Sequence, residues 1–245
     1  MKNIKNTKSN LNNSEKEYFK KSYELFLNNY KKYYENPFML TSRQSFASSY
    51  ARIKIYELVK NIKGSIVECG VNKGNNLLLF YHLLACNEPT SFNDKVIGFD
   101  SFEGFQSIDK IKDNKKIKKD SFKNADYNHL SKITELNQLN DIIKNIPRVQ
   151  IVRGDAVKTI PKYVKNNKSL IIRLLYLDFD LYKPTIVALK NLYDLVPIGG
   201  VIVFDEIGNE RWVGETIAYK EFFNKNKVRL KKFDFEPYLS YFIKE

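Results

Sequence analysis

The sequence predicts an α/β fold in which a mostly parallel sheet carries helices on both faces. Short apolar segments rich in Val, Ile and Leu alternate with helical segments between residues 65 and 205. The apolar segments repeatedly end in an acidic residue and a turn. Strands that alternate with helices in this way form parallel sheets. A chain of 245 residues with 43% hydrophobic residues is long enough for one large domain with a helical addition.

Two helices are predicted before the first strand. Ser14 and Glu17 have the spacing of a capping box, which predicts a helix over residues 15–34. A second helix is predicted over residues 43–61. We therefore expect residues 1–62 to form a helical extension of the main domain.

Residues 63–245 are expected to form a single domain with an insert at about residues 103–147, which we expect to act as a lid. Pro184 suits the first turn of a helix, where its missing N–H is not needed. The predicted elements, in chain order, are strand 65–68, helix 77–84, strand 96–100, helix 130–146, strand 149–152, helix 156–164, a strand ending at Asp178, a helix from about Pro184, a strand ending at Asp205, helix 217–223, and strands 228–235 and 238–243, which meet at Pro237.

A glycine loop follows the first strand. Glu68 lies just before it, and Gly70 and Gly74 let the backbone approach a ligand closely. The dinucleotide pattern of three glycines is absent, and an acidic residue before the loop suits a positively charged group better than a pyrophosphate. The next two strands end near Asp100 and Asp155, where acids can accept hydrogen bonds from ribose. This recurrence predicts a nucleoside site.

Four acids follow two later strands: Asp178 and Asp180 after one, Asp205 and Glu206 after the next. The carboxyl ends of parallel strands meet at one edge of a sheet, where ligands bind. Crowded like charges are costly without a cation, and carboxylate oxygens suit Mg²⁺. The sequence therefore predicts a metal site and reaction centre here. For Asp180 alone, a general base and a cap on the next helix both remain open.

Five segments resemble the macrocin O-methyltransferase family over roughly residues 39–243: V-E-C-G-V-x-x-G, G-F-D-S-F-E-G-F, L-Y-L-D-x-D-L-Y-x-P-T, G-G-V-I-V-F-D-E-I and W-x-G-E-T. The resemblance implies a Rossmann-like class I methyltransferase with a seven-stranded sheet, in which the last hairpin forms the antiparallel edge. It also implies S-adenosylmethionine as methyl donor, Mg²⁺ or another divalent cation, and a sugar hydroxyl as acceptor.

The resemblance and the strand-end pattern together assign the site residues. The metal would be held by Asp178, Asp205 and Glu206, with Asp178 or Asp180 as the base. Trp212 is expected to stack on a sugar or to dock its loop, and Tyr182 to line the acceptor or to face the core. The cofactor residues are Thr41, Arg43, Glu68, Gly70, Gly74, Asp100, Ser101, Asp155 and Ala156, and the substrate residues are Trp212, Glu215, Tyr182 and His129.

The net charge of +13 does not by itself indicate nucleic-acid binding, because the lysines are scattered. The densest run, residues 110–123, has seven lysines and a single aromatic residue, Phe122, so it lacks a base-stacking surface. As part of a lid it would favour an anionic acceptor, such as a sugar linked to a nucleotide diphosphate. A catechol or phenol methyltransferase, and a basic RNA-binding or RNA-modifying protein, remain alternatives.

The remaining features predict a cytoplasmic protein that acts on a small molecule. The two cysteines have neither metal-ligand nor disulfide-framework spacing. We see no apolar run of about 18 residues and no apolar signal segment at the N-terminus. We therefore expect no membrane and no nucleic acid as partners, and a homo-oligomeric enzyme.

Overall fold

The computed structural model describes residues 12–224 and 227–245, and the chain divides into two compact units, residues 1–47 and 48–245. In the first unit, α1 spans Asn13–Glu35 and a 3₁₀ turn spans Pro37–Leu40. Residues 1–11 of the predicted extension lie outside the described part.

The predicted capping box at the start of α1 is wrong by two positions. Asn12 accepts a hydrogen bond from the N–H of Glu15 at 2.9 Å, and Glu15 accepts one from the N–H of Asn12 at 3.1 Å. Asparagine is as good an N-cap as serine, so both registers satisfy the sequence pattern. Glu17 instead pairs with Lys21 one turn later, at 2.7 Å.

Helix α2 spans Arg43–Val59, and the second unit begins within it at Ser48. Ala51, Ile55, Tyr56 and Val59 lie in the core of the second unit. Contacts therefore divide the chain at residue 47, ahead of the expected boundary at residue 62. The division into a helical extension, residues 1–62, and a main domain, residues 63–245, stays a prediction.

The second unit contains the predicted seven-stranded sheet, in the order β3-β2-β1-β4-β5-β7-β6. Strands β1 to β5 run parallel, and β7 is antiparallel to both β5 and β6. The chain moves outward from β1 to β3 and then returns to β4, so β1 and β4 flank the topological switch point. The strands are β1 Ser65–Cys69, β2 Val96–Asp100, β3 Val149–Arg153, β4 Ile172–Leu177, β5 Val201–Phe204, β6 Lys231–Phe233 and β7 Glu236–Ile243.

Helices cover both faces of the sheet, as predicted. Leu174 and Tyr176 face one layer, made by α2, α3 and α4, and Leu175 and Leu177 face the other, made by α5, α6 and α7. Because both faces are buried, the strands are continuous apolar runs. The helices of this unit after α2 are α3 Asn75–Asn87, α4 Tyr127–Leu139, α5 Ala156–Asn166, α6 Tyr182–Leu192 and α7 Val213–Phe222. No helix in the described part is long and apolar enough to cross a membrane.

Two predicted boundaries are wrong for tertiary reasons. The insert helix α4 ends at Leu139 rather than at residue 146, because the chain turns to bring Asp141 against Arg148. Pro237 lies inside β7, at a register shift against β6, instead of at the hairpin turn. Proline is tolerated there because an irregular ladder does not require its missing N–H.

A buried ion pair lies at the amino ends of the parallel strands. Arg148, directly before β3, donates to both carboxylate oxygens of Asp141, at 2.7 to 3.0 Å. The Tyr81 hydroxyl donates to the same carboxylate at 2.9 Å, and Arg148 also reaches the carbonyl of Glu88 at 2.8 Å. A charge pair this deeply buried is tolerated only when its members are fully hydrogen-bonded.

We expect Arg148→Ala to destabilise the protein by about 3–5 kcal/mol, because it strands the buried Asp141 carboxylate. Urea denaturation measures the change in the free energy of unfolding. Lys54→Ala is the matched control: it breaks an exposed pair with Glu57, and should change stability far less than Arg148→Ala, because exposed pairs contribute little. Equal losses for the two variants would contradict a stabilising role for the buried pair.

Candidate active site

The glycine loop after β1 and the acidic loop after β4 touch each other at the switch point. The N–H of Asp178 donates to the carbonyl of Cys69 at 2.8 Å. Gly70 has φ +99°, and a Cβ there would collide with the carbonyl of Asp178. Glycine is therefore required at this position both by conformation and by space.

Asp100, at the end of β2, shapes the glycine loop. One of its oxygens accepts from the N–H groups of Val71 at 2.9 Å and Asn72 at 2.8 Å. The other accepts from the N–H of Phe102 at 2.7 Å. A carboxylate offers roughly four acceptor positions, so these bonds leave room for the predicted ribose contact. The ribose contact itself stays a prediction.

Glu68 is buried behind the same loop, and its Oε2 has no hydrogen-bond partner among the described residues. Burial raises the pKa of Glu68 well above its usual range; Arg52 opposes this shift, and Asp100 and Asp205 add to it. An unpaired buried acceptor is costly. This orphan oxygen fits the cationic end of a ligand such as S-adenosylmethionine.

The other predicted cofactor residues have local structural roles at the same edge. Asp155 caps α5 through the N–H of Val157 at 3.1 Å and accepts from the Ser107 hydroxyl at 2.9 Å. Ala156, the first residue of α5, is buried. Ser101 donates to the carbonyl of Gly104 at 2.7 Å.

Gly74 connects the cofactor loop to the insert. It has φ +85°, and a Cβ there would collide with the side chain of Leu130 in α4. The insert helix therefore packs directly on the loop that is predicted to hold the cofactor.

Thr41 and Arg43 belong to the first unit. The Thr41 hydroxyl donates to the carbonyl of Pro37 at 2.9 Å. Arg43 is exposed and lies 3.5 Å from a carboxylate oxygen of Glu15. Their proposed contact with the cofactor stays a prediction.

Asp178 and Asp180 follow β4, and Asp205 and Glu206 follow β5, which is the parallel neighbour of β4, so all four acids lie at the same end of the sheet. Burial raises the pKa of Asp178 well above its usual range, and repulsion from Asp205 and Asp180 adds to the shift. Burial also raises the pKa of Asp180, with Glu206 and Asp205 adding to the effect. The pKa of Glu206 is raised to about 7 by burial and by Asp205.

Asp180 does not cap α6. The cap position is Leu181, which makes no side-chain cap bond, and the first N–H of the helix, from Tyr182, donates to Asp113 of the insert at 2.8 Å. Asp180 instead has φ +63°, an uncommon backbone conformation for a residue with a side chain. Such conformations cluster at functional sites, which favours the chemical role for Asp180.

Arg52 and Tyr176 hold the inner side of Asp205, and sequence reasoning missed both. Arg52 donates to Asp205 Oδ1 at 2.7 Å, and the Tyr176 hydroxyl donates to the same atom. Burial opposes the charge of Arg52, but Tyr176, Asp205 and Asp178 outweigh it and raise the pKa of Arg52. The sequence did contain a signal for them, because each is a polar residue within an apolar segment: Arg52 in A-R-I-K-I and Tyr176 in L-L-Y-L.

The donor set fits a hard divalent cation in its chemistry, because every candidate ligand is a carboxylate. Within residues 12–224 and 227–245, however, no three His, Cys, Asp or Glu side chains are grouped so that they could hold a metal ion. The assignment of a metal to Asp178, Asp205 and Glu206 therefore stays a prediction.

Trp212 lies where the insert packs against the W-x-G-E-T segment, a contact that we call the docking contact. It is only 7% exposed. Its ring packs against Phe105 and Phe122, with ring centroids 5.8 and 5.9 Å away. These contacts match the docking alternative for Trp212, and stacking on a sugar stays a prediction.

Asp113 and Gly214 form the second part of the docking contact. Asp113 is buried and also accepts from the N–H of Asp109 at 2.6 Å. A Cβ on Gly214 would collide with Asp113 Oδ1 and with the backbone of Tyr182. The glycine of W-x-G-E-T thus makes room for the insert. Sequence reasoning missed Asp113, since nothing local distinguishes it within a lysine-rich run.

Glu215, next to this contact, reaches the acidic cluster. It is completely buried, and one of its oxygens accepts from the N–H of Glu206 at 3.0 Å, which fixes the loop after β5. Its Oε2 has no hydrogen-bond partner among the described residues. Burial raises the pKa of Glu215 well above its usual range, and Asp180 and Asp205 add to the shift.

Two predicted substrate residues lie outside the acidic cluster. The Tyr182 hydroxyl donates to Glu221 at 2.6 Å, and the Lys112 ammonium lies 3.9 Å from the centre of the Tyr182 ring. His129 is exposed at the start of α4. Their contact with an acceptor stays a prediction.

Residues 51–241 match the family model of macrocin O-methyltransferase (TylF). The chain belongs to the macrocin O-methyltransferase family. It is accordingly an S-adenosylmethionine-dependent O-methyltransferase. The match spans most of the chain and includes all five segments on which the resemblance rested.

Solved structures of methyltransferases share the fold. CalS11, a calicheamicin methyltransferase, has a TM-score of 0.88 at 24% identity, covering 95% of this chain and 93% of that one. Apo CalS11, described as a TDP-rhamnose 3′-O-methyltransferase, has a TM-score of 0.83 at 23% identity, covering 95% of each chain. The O-methyltransferase NovP has a TM-score of 0.64 at 21% identity, covering 81% of this chain and 79% of that one. No protein of curated function matches significantly.

We expect the cation-free methyltransferase to lose stability as the pH rises from about 4.5 to about 7. The pKa of Glu206 is raised from 4.5 to about 7 in the fold, so the folded state binds more protons than the unfolded state in this window. Stability therefore falls with pH there, and the loss is complete above it. Thermal melting in EDTA at several pH values measures the slope. Glu206→Gln should flatten it, whereas Glu210→Gln, in the exposed part of the same loop, should not. Identical slopes for wild type and Glu206→Gln would refute the assignment.

Proposed function

We propose that this methyltransferase transfers a methyl group from S-adenosylmethionine to a sugar hydroxyl, with a divalent cation at the strand-end acids. The observation that carries the proposal is the contact of the glycine loop with the acidic loop, Gly70 against Asp178. A donor held by the first loop and an acceptor held by the second would then be neighbours.

Methyl transfer to a hydroxyl is a direct displacement at carbon, so the enzyme must align oxygen, methyl carbon and sulfur. Alignment of this kind contributes up to roughly 7–11 kcal/mol in favourable cases. Glu68 would pair with the cationic part of the cofactor, and Asp178 or Asp180 would accept the hydroxyl proton. A bound cation, held by Asp178, Asp205 and Glu206, would lower the pKa of a coordinated hydroxyl.

The proposed acceptor is a sugar linked to a nucleotide diphosphate, made for surface polysaccharide or a natural-product glycoside. Family membership supports the sugar, and the apo CalS11 structure belongs to an enzyme that acts on TDP-rhamnose. The lysines of the insert support a negatively charged acceptor. Two of them are already paired with acids of this chain, Lys112 with Glu221 and Lys123 with Asp120. Lys115, Lys116, Lys118 and Lys119 are among the further lysines of the insert that are exposed.

We further propose that the enzyme is a cytoplasmic homo-oligomer. No residue of α1 is buried, and seven of its large apolar side chains are exposed. Exposed apolar patches of this kind are typical of interaction surfaces. Ultracentrifugation of the purified protein would test the oligomer.

The central test is methyl transfer to a panel of nucleotide sugars, neutral glycosides, catechols and RNA. We expect turnover with nucleotide sugars, loss in EDTA and recovery with Mg²⁺. Asp205→Asn should lower turnover by at least about 100-fold, or about 2.7 kcal/mol, with unchanged calorimetric affinity for the cofactor. Asp194→Asn, far from the strand ends, is the control. Full activity after thorough chelation would refute the metal, and turnover of catechols or RNA alone would refute the sugar.

Replacing Lys115, Lys116, Lys118 and Lys119 together with glutamine should raise KM for the acceptor. Each exposed pairing contributes about 0–1 kcal/mol, so we expect a rise of roughly tenfold that shrinks as salt increases. Cofactor affinity should be unchanged. The control replaces four exposed lysines near α5: Lys158, Lys162, Lys165 and Lys168. An unchanged KM would exclude the insert from acceptor binding.

A further inference from the structure

The β6–β7 hairpin projects past the carboxyl end of β5. Phe204, the last residue of β5, pairs with Ser240 of β7, whereas β7 already begins at Glu236. Because β7 is antiparallel to β5, the four steps from Ser240 back to Glu236 carry the hairpin roughly 14 Å beyond the end of β5 at the usual rise of an extended strand. The turn of the hairpin, residues 234–235, therefore stands at the end of the sheet where the strand-end acids lie.

A chain of ion pairs connects the start of β7 to the acidic loop. Arg52 lies 4.0 Å from Glu236 Oε2 and 2.7 Å from Asp205 Oδ1. Tyr50 precedes Arg52 by two residues in α2, and Phe235 directly precedes Glu236. The rings of Tyr50 and Phe235 pack together, with centroids 5.2 Å apart. This ring pair thus flanks the ion pairs that reach Asp205.

The ring pair continues a stack of aromatic side chains on the hairpin. Phe233 stacks on Phe235 and on Tyr241, with ring centroids 5.3 and 5.2 Å away. Phe233 and Tyr241 pack against the core beside α2, which fixes the inner end of the stack. At the outer end, Phe235 is 41% exposed and Tyr50 is 38% exposed. Aromatic and apolar side chains predominate in small-molecule sites, and here the stack holds two such rings in place at the surface.

Local structure does not explain an aromatic residue at this turn. Phe233 pairs with Glu236 across the hairpin, so the turn consists of Asp234 and Phe235. Two-residue hairpin turns favour Gly, Asn and Asp. An exposed aromatic ring on an edge hairpin also promotes association with other chains. Phe235 therefore departs from the local preference, and natural proteins make such departures mainly at functional or strained positions.

We propose that the exposed surface of Phe235 and Tyr50 is a platform that binds the sugar ring of the acceptor through the C–H face of that ring. The inference rests on the proposed function and adds the side of the site that holds the acceptor. The C–H face is the apolar part of a sugar, so covering it with an aromatic ring is favourable. The hydroxyl groups project from the edge of the sugar ring and stay available to the strand-end acids.

The same comparison separates Phe235 from Trp212, which the sequence suggested for stacking on a sugar. Trp212 is 7% exposed, against 41% for Phe235, because the insert covers the tryptophan ring. The platform therefore lies on the hairpin side of the site, opposite in sequence and in structure to the docking contact.

Phe235→Asn tests the platform, because it removes the ring and introduces a residue that turns favour. Phe235→Trp keeps an aromatic ring and is the rescue variant. Phe92→Asn is the matched control: Phe92 is 56% exposed and lies in the loop between α3 and β2, at the amino ends of the strands. The acceptor in every assay is the nucleotide sugar or neutral glycoside of the panel above that the wild type turns over fastest.

The readouts are KM and kcat for the acceptor, the calorimetric Kd of the acceptor in the presence of S-adenosylhomocysteine, and the affinity for S-adenosylmethionine. We expect Phe235→Asn to raise KM and Kd for the acceptor by roughly 3–10-fold. The value of kcat should stay within about twofold, because a platform away from the reacting atoms binds ground state and transition state alike. Phe235→Trp should restore most of the acceptor affinity, and Phe92→Asn should behave as the wild type.

A wild-type enzyme that methylates a sugar while Phe235→Asn keeps the wild-type KM and Kd would overturn the platform and leave the proposed function intact. Equal losses of acceptor and cofactor affinity in Phe235→Asn would also overturn it, because they indicate general disruption. A wild-type enzyme that methylates no sugar of the panel would overturn both proposals. If Phe235→Asn does not fold, Phe235→Leu, which keeps apolar bulk without a ring, decides by the same criterion.

Discussion

Buried negative charge at the carboxyl ends of β4 and β5 is the constraint on which the rest of the structure depends. Asp180 and Glu215 are buried and Asp178, Asp205 and Glu206 are half-buried at this end of the sheet, and burial and repulsion raise the pKa of all but Asp205. Such a cluster is stable only if its members carry protons, accept fixed hydrogen bonds or face a cation. Arg52 and Tyr176 supply hydrogen bonds on the inner side, and the N–H of Glu206 and the amide of Asn209 supply them near the surface.

Charged residues differ between the amino ends and the carboxyl ends of the parallel strands. At the amino ends of the strands, Arg148 forms a buried pair with Asp141 at 2.7 Å, and the buried Arg173 lies 2.7 Å from Glu88, whose side chain is 21% exposed. Among the described residues, Arg148 and Asp141 have no buried polar atom without a hydrogen-bond partner, whereas Nε and Nη2 of Arg173 lack one. At the carboxyl ends of the strands, acidic residues outnumber basic ones. Two of these acids, Glu68 and Glu215, each have one carboxylate oxygen without a hydrogen-bond partner among the described residues.

The insert packs against the rest of the second unit at three points beside the candidate site. Leu130 packs on Gly74 of the glycine loop, Asp113 accepts from the first N–H of α6, and Phe105 and Phe122 pack on Trp212. The W-x-G-E-T segment therefore contacts two parts of the structure. Its tryptophan and glycine pack against the insert, and its glutamate accepts a hydrogen bond from the acidic loop after β5.

The sequence by itself determined the fold class and the order of strands and helices along the chain. It also determined the position of the glycine loop and of the four acids that follow the strands. These follow from local signals: apolar runs, glycine spacing and the rule that ligands bind beyond the carboxyl ends of parallel strands. The sequence did not determine Arg52, Tyr176 or Asp113, nor that Asp180 leaves the cap of α6 to the insert. Only the tertiary structure decided these, because each depends on a partner distant in the chain, 153 residues for Arg52 and 69 for Asp113. Hydrogen bonds over such separations are selected by packing, which no local pattern records.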